Sequence, residues 1–141
     1  MKKLLALAAI AIALQGCTTN LIEGQKQELE TYKQKGLAVE ERNPKLAAVL
    51  GILPMAGYLY DGNYVLAFTT LPLYPFLGPL WMPFDTYNSA QARNYYATKP
   101  HVERERSKAM QANDRAMDDK HIDDVTYRRI RREIEDKYSA Y

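Results

Sequence analysis

Three apolar segments interrupt an otherwise polar chain of 141 residues. The first covers residues 4–14, and two longer ones, residues 46–60 and 64–84, carry no charged side chain. Residues 61–63, Asp-Gly-Asn, separate the two longer segments, and Asp-Gly steps favour tight turns. The pattern predicts a mainly α protein with an N-terminal signal helix, a short apolar helical hairpin broken by Pro and Gly, and polar C-terminal helices.

The N-terminal residues 1–16 have the parts of a secretory signal. Lys2 and Lys3 give a positive start, and the apolar residues 4–14 follow. This apolar length suits a signal peptide and is too short to span a bilayer core of about 30 Å, which takes ~20 helical residues. Cys17 stands directly after the signal and is the only cysteine, so it cannot form an intramolecular disulfide.

Residues 14–17, Leu-Gln-Gly-Cys, resemble the lipobox of bacterial lipoproteins. The resemblance implies that the Cys17 thiol receives a diacylglycerol group, that a peptidase cuts between Gly16 and Cys17, and that the new amino group is acylated. It therefore implies a lipid-anchored protein of the cell envelope. Thr18 stands where an inner-membrane retention signal has aspartate, which favours the periplasmic face of the outer membrane in a Gram-negative cell. The alternative is an ordinary signal peptide.

Composition and charge divide the chain further. We predict a signal peptide at 1–16, a lipidated N-terminus and polar spacer at 17–43, an apolar hairpin with a polar helix at 44–97, and a charged helical tail at 98–141. The formal charge of +2 comes from Lys2 and Lys3, so the mature chain is neutral. A neutral chain gives no electrostatic reason for nucleic-acid binding.

The two long apolar segments are the centre of the chain. Asn43 as N-cap and Pro44 at the first helical position predict a helix start. Pro54 interrupts the first segment, and four prolines of the second segment exclude a straight helix through all of them, because each removes a backbone donor. These are Pro72, Pro75, Pro79 and Pro83. Asp85 is expected to cap the polar helix that follows.

Tyrosines flank both segments and favour a membrane interface. A short, broken or re-entrant membrane hairpin is one interpretation, and a soluble helical core is the other.

The hairpin turn carries a resemblance to the two-transmembrane hairpin domain family. Pro54, Gly57, Tyr60 and Gly62 fit the turn pattern of that family, in which two apolar helices flank a Pro-Gly-rich turn. Met55 and Tyr58 depart from the pattern, at the places of a glycine and a glutamine. The family has no established shared chemistry, so the resemblance implies an architecture and not an activity.

The tail has one apolar stripe on an otherwise charged helix. Tyr127, Ile130, Ile134 and Tyr138 recur at helical spacing, after a turn in which Asp123 or Asp124 is the expected cap. This helix weakly resembles the short C-terminal domain of bacterial membrane proteins. We expect the stripe to pack on residues 87–96 or on an envelope protein partner.

Candidate chemistry is sparse. Residues 118–124 gather four carboxylates and His121, which are ligand types for a divalent cation, but a turn that caps two helices explains the same residues. His101 is expected in a linker after Pro100. No nucleophile elbow or phosphate loop is present. We therefore expect no enzyme, no metal and no cofactor.

Three functions remain open at this level. The first is a small acylated lipoprotein that is a membrane-associated structural or interaction protein of the envelope. The second is a phage- or plasmid-type exclusion lipoprotein that blocks an envelope receptor. The third is an enzyme whose site is assembled only in the fold.

The lipobox interpretation predicts that Cys17→Ala abolishes both acylation and signal cleavage, because the thiol is the acceptor of the lipid. Metabolic labelling with a clickable fatty acid measures the first, and the gel mobility of the chain measures the second. Label retained on the variant would contradict the prediction.

Overall fold

The computed structural model describes residues 20–141, without the side chains of residues 73, 76 and 77. The predicted signal peptide and the predicted lipidation site, with Gly16 and Cys17, lie outside the described residues. Within residues 20–141 the chain forms six α-helices and no strand, so the predicted mainly α fold is confirmed. The helices are α1 (Glu23–Gln34), α2 (Pro44–Leu50), α3 (Ala56–Tyr60), α4 (Tyr64–Thr70), α5 (Tyr74–Asp118) and α6 (Asp124–Tyr138).

The helices belong to two compact units. Unit 1 contains Asn43–Ala92 together with Leu21, and unit 2 contains Ile22–Arg42 and Arg93–Tyr141. Helix α5 supplies its first part to unit 1 and the rest to unit 2. Of the helices between residues 20 and 141, none combines the length and the apolar character needed to cross a membrane.

Local sequence signals place the start of α2 and the turn after α3. The Asn43 side chain accepts a hydrogen bond from the Leu46 amide at 3.1 Å, and Pro44 is the first helical residue. Both features of this helix start are confirmed. Gly62 has a φ of 74°, which its missing Cβ permits without strain, in the predicted Asp-Gly turn.

Helix α5 corrects two of the predictions. It runs without a break through Pro79, Pro83 and Pro100, and Asp85 lies inside it instead of capping it. His101 is consequently part of a helix and not of a linker. Pro75 costs little in the first turn, and Pro79 and Pro83 follow it at four-residue steps, so each of their lost amides would have bonded the carbonyl of the preceding proline.

Packing explains why α5 continues through these prolines. Met82, Thr86 and Ala90 form a buried stripe at four-residue spacing along the same part of the helix. The Thr86 hydroxyl donates to the Met82 carbonyl at 2.7 Å or to the Ala47 carbonyl at 2.9 Å. The tertiary contacts of this stripe therefore outweigh the unfavourable helix propensity of the prolines.

The segment expected to be a spacer is a packed part of unit 2. Helix α1 buries Leu29 and Tyr32. After it, the Val39 amide donates to the Thr98 hydroxyl at 2.9 Å, and the Arg42 amide donates to the Asn94 side chain at 2.9 Å. The predicted border between residues 97 and 98 falls inside α5. Segment borders read from composition miss this arrangement because the contacts join residues more than fifty positions apart.

The interior of unit 1 depends on a close approach of backbones. A Cβ at Gly57 would lie 2.7 Å from the Thr86 methyl carbon and 2.8 Å from the Gly51 Cα. A Cβ at Gly51 would lie 2.9 Å from the Met82 carbonyl oxygen. Such distances leave no room for a side chain, so the two glycines let α3 and the turn after α2 lie directly on α5.

Gly57→Ala should therefore destabilise unit 1 by about 1 to 3 kcal/mol, the usual cost of an overpacked core. The matched control is Gly24→Ala in α1, where a Cβ would meet nothing within 4 Å. This control should be neutral or stabilising, by up to about 1 kcal/mol, because alanine is the better helix former. Thermal unfolding in detergent, followed by circular dichroism, measures both. Equal midpoints for the two variants would contradict the close-approach argument.

Candidate functional site

The residues of the predicted hairpin turn lie in two successive turns and in the short helix α3 between them. Pro54 is exposed in the turn between α2 and α3, and Gly57 is buried in α3. Tyr60 ends α3, and its hydroxyl accepts a hydrogen bond from the Asn43 amide at 3.1 Å. Met55, at the place of a glycine in the resembled family, has a φ of 64°. A left-handed conformation at a non-glycine residue is strained, and glycine would remove that strain.

The interior of unit 1 holds polar side chains beside an apolar cluster of Tyr58, Ala67 and Met82. Asp61, Thr86 and Ser89 are each 0% exposed. The Tyr58 hydroxyl donates to the Asp85 carboxylate at 2.7 Å, and the Trp81 indole N–H lies 3.4 Å from the Tyr58 oxygen. These polar side chains were not among the predicted site residues. No local sequence signal marked them, because their hydrogen-bond partners lie more than twenty positions away in the chain.

The exterior of unit 1 is apolar. Every helix of the unit exposes at least one large apolar side chain, and so do the turn before α3 and the 3₁₀ turn at Leu71–Leu73 that joins α4 to α5. On α5 the exposure reaches 70% at Leu80 and 73% at Phe84. We call this set the apolar surface of unit 1: Leu46, Val49, Ile52, Leu53, Leu59, Tyr64, Val65, Phe68, Leu71, Leu80 and Phe84.

The backbone amides of residues 51–53 and 61–63, in the two turns of unit 1, are satisfied internally. In the first turn, the amides of Gly51, Ile52 and Leu53 bond to carbonyls of α2 at 2.8 to 3.2 Å, and Pro54 has no amide hydrogen. In the second turn, residues 61–63 bond to carbonyls of α3 at 2.7 to 3.0 Å. The Tyr74 hydroxyl also donates to the Ile52 carbonyl. Internal pairing of this kind is what a backbone needs where water is excluded.

Unit 2 is held by a polar cluster around Glu28 of α1. The Glu28 carboxylate accepts from the Tyr95 hydroxyl at 2.7 Å, from the Lys99 ammonium at 3.3 Å and from the Tyr141 hydroxyl at 3.2 Å. Lys99 also donates to the Tyr95 oxygen at 3.0 Å. The cluster joins α1, α5 and the C-terminal residue.

The pKa values in this cluster follow from its contacts. The hydrogen bond from Tyr95 is the main cause that lowers the pKa of Glu28, and Lys99 lowers it further. Hydrogen bonds with Tyr95 and Glu28 raise the pKa of Lys99. Burial raises the pKa of Tyr95. At pH 7 the cluster therefore consists of a carboxylate, an ammonium and a neutral phenol. These protonation states suit a cluster that stabilises the fold and not an acid–base pair that transfers protons.

Both ends of the C-terminal helix α6 contact the rest of unit 2. The Asp123 side chain caps it by accepting from the Thr126 amide at 3.0 Å, which confirms one of the two expected caps. The Tyr127 hydroxyl donates to Asp114 at 2.9 Å. Lys35 donates to the Asp136 and Ser139 carbonyls at 2.6 and 3.0 Å.

The apolar stripe of α6 is half-buried in the chain itself. Tyr127, Ile130, Ile134 and Tyr138 are all of intermediate exposure. The expected packing of the stripe on residues 87–96 or on a partner stays a prediction; Tyr141, which follows the helix, shares Glu28 as acceptor with Tyr95. The other hydrogen bonds described for α6 and the residue after it join Tyr127 to Asp114, and Lys35 to the Asp136 and Ser139 carbonyls.

The outer face of α6 is ion-paired. Arg128 contacts Asp124 at 2.6 Å, Arg129 contacts Glu133 at 3.8 Å and Arg131 contacts Glu135 at 3.2 Å. A groove of about 430 Å³ runs between α5 and α6, and Arg106, Met110, Tyr127 and Arg131 are among its lining residues. Charges of both signs line this groove.

The acidic turn at residues 118–124 is not assembled as a ligand set. His121 Nδ1 lies 4.0 Å from the Asp119 carboxylate, and both side chains are exposed. Across residues 20–141, no group of three or more histidine, cysteine, aspartate or glutamate side chains could hold a metal ion.

Fold and site together define a helical protein of two units, one with an apolar surface over a polar interior and one with a charged surface. No known protein family, curated protein or solved structure matches the chain. The resemblances to lipoproteins, to the two-transmembrane hairpin domain family and to the short C-terminal domain remain predictions.

The Glu28 cluster predicts a pH-dependent contribution to the stability of unit 2. The pKa of Glu28 is lower in the folded chain than its unfolded value of about 4.3. Its contribution is therefore present above that value and is lost as the pH falls through the folded pKa. Glu28→Gln should lower the free energy of unfolding at pH 7 by up to about 1 kcal/mol, since Lys99 is exposed and water screens its charge. At pH 3 the difference from wild type should fade.

Urea unfolding at both pH values measures this effect. The matched control is Glu30→Gln, whose partner Lys33 lies on the exposed face of the same helix at 2.6 Å. This control should change stability little at either pH. A loss in Glu28→Gln that is equally large at pH 3 would contradict the role of the carboxylate charge.

Proposed function

We propose that the chain is a small acylated lipoprotein of the cell envelope, in which unit 1 is seated in the membrane and unit 2 stays in the water for interaction with an envelope partner. The observation that carries the proposal is the apolar surface of unit 1. Residues 46–84 carry one charged side chain, Asp61, and it is buried. The surface that remains is hydrocarbon and aromatic.

The distribution of polarity favours lipid over a protein partner as the surroundings of unit 1. Exposed apolar side chains occur on every helix of the unit, whereas a protein partner would need only one apolar face. Polar side chains such as Thr86 and Ser89 are inside, where they hydrogen-bond to other groups of the unit. A water-soluble domain of this size usually has the opposite arrangement, with polar groups outside.

The lipid anchor adds to the same attachment. In the proposed mature protein Cys17 is the first residue, and unit 1 begins close to it in the chain. Two signals give more stable membrane attachment than one, and an acyl group with an apolar domain supplies two. The periplasmic face of the outer membrane is the proposed location in a Gram-negative cell, because Thr18 replaces the aspartate of the retention signal.

Unit 2 supplies the interaction surface in this proposal. Its outer helix α6 has paired charges on the exposed side, and the groove of about 430 Å³ beside it is open to the solvent. Such a surface is typical of a polar and reversible protein contact. The proposed role is therefore structural or adaptor-like and not catalytic.

Removal of the lipid tests the membrane seat of unit 1. A version with an ordinary cleavable signal and Cys17→Ser should remain in the membrane pellet after extraction with carbonate at high pH. The same version with Leu80→Glu and Phe84→Lys should move to the soluble fraction, because each charge costs about 2 to 3 kcal/mol in hydrocarbon.

Two controls accompany this extraction. Lys108→Glu changes a charge on the exposed face of unit 2 and should leave the protein in the pellet. Circular dichroism should show the same helix content for all versions, since Leu80 and Phe84 are on the surface. Complete release of the version without the lipid would contradict the proposal and favour a soluble core.

A further inference from the structure

We infer that unit 1 inserts into a single leaflet of the bilayer, with its uncharged end near the middle of the membrane and both chain ends leaving from the same side. This inference rests on the proposed membrane seat of unit 1 and goes beyond it by assigning depth and topology. Three observations carry it: where the chain crosses the border of the unit, where its charges lie, and how long its apolar part is.

The chain starts and ends unit 1 at neighbouring positions. The main segment of unit 1 runs from Asn43 to Ala92, and Leu21 belongs to the unit separately. The residues just outside are bonded to each other: the Arg42 amide donates to the Asn94 side-chain oxygen at 2.9 Å, and the Asn94 side-chain nitrogen donates to the Arg42 carbonyl at 2.7 Å. Both connections from this main segment to unit 2 therefore leave the membrane at one place.

The charges of unit 1 lie at the same end as these connections. Lys45 is exposed in the first turn of α2, and Arg93 follows directly after the unit. The opposite end is formed by the start of α5 and the 3₁₀ turn Leu71–Leu73 before it. The turn after α2 extends towards this end from Gly51, which lies beside Met82, to Ile52, whose carbonyl accepts from the Tyr74 hydroxyl. No charged residue stands within residues 46–60 or 64–84. The unit thus has a charged end and an uncharged end.

The length between these ends matches half a bilayer. From Tyr74 to Phe84, helix α5 rises about 15 Å at 1.5 Å per residue. The hydrocarbon core of a bilayer is about 30 Å thick, so one leaflet contributes about 15 Å. The turn after α2, which extends towards the uncharged end, is compatible with lipid surroundings, because the amides of residues 51–53 are bonded internally. Asp85 follows at the level where the headgroups begin and is bonded to Tyr58.

Single cysteines in the acylated protein test the depth. In the proposed mature protein the thiol of Cys17 is blocked, so an introduced cysteine is the one reactive thiol. The substitutions are Leu53→Cys at the uncharged end, Phe84→Cys near the charged end, and Lys45→Cys and Lys108→Cys as aqueous controls. All four side chains are exposed. Each protein is reconstituted into vesicles of phosphatidylethanolamine and phosphatidylglycerol and labelled with an environment-sensitive fluorophore.

The expected result is a gradient of depth from one side. The label at position 53 should be blue-shifted and should lose more fluorescence to a lipid quencher placed deep in the acyl chains than to a shallow one. The label at position 84 should show the reverse preference, and the labels at 45 and 108 should respond to an aqueous quencher. No label should respond to aqueous quencher trapped on the opposite face of the vesicles.

The other outcomes separate the two proposals. Quenching of the label at position 53 from the opposite face would overturn the single-leaflet topology and leave the membrane seat intact. Equal shallow depth for positions 53 and 84 would also overturn it, since unit 1 would then lie flat on the surface. Labels at 53 and 84 that respond only to aqueous quencher would overturn the membrane seat itself, and labelling of the parent protein would show that Cys17 is free.

Discussion

The close approach of Gly51 and Gly57 to α5 is the constraint on which unit 1 depends. Thr86 lies at this crossing and connects α5 to the Ala47 carbonyl of α2. Because neither glycine has room for a Cβ, the crossing fixes how near the short helices lie to the long one. Helices of five and seven residues are not stable alone in water, so they exist only through this contact.

The same crossing decides which side chains face outward. With small residues and Thr86 at the contact, the larger apolar side chains of α2, α4 and α5 have no place in the interior of the unit. They form the apolar surface instead, over an interior that holds Tyr58, Asp85 and Asp61. This arrangement resembles helix packing in membranes, where small residues bring backbones together and polar side chains bond between helices. The membrane seat of unit 1 follows from this as a proposal.

Unit 2 is stabilised by a different kind of contact. Glu28 collects hydrogen bonds from Tyr95, Lys99 and Tyr141, and these residues are far apart in the chain. Leu29 and Tyr32 provide the buried apolar part of α1. The charged exterior of unit 2 and the apolar exterior of unit 1 suit two different surroundings, and one helix, α5, belongs to both units. A protein held at a membrane that acts on the aqueous side needs this combination.

The sequence by itself determined the local features: the mainly α fold, the Asn43–Pro44 helix start, the Asp-Gly turn and the Asp123 cap. Each depends on side chains within three or four residues of one another, so a local pattern contains the information. The tertiary structure alone decided that α5 passes through Pro79 and Pro83. Packing along Met82, Thr86 and Ala90 outweighs local helix propensity there. It also decided that α1 belongs with the C-terminal half of the chain and that the polar residues of the hairpin face inward, since these contacts join residues distant in sequence and leave no local periodic signal.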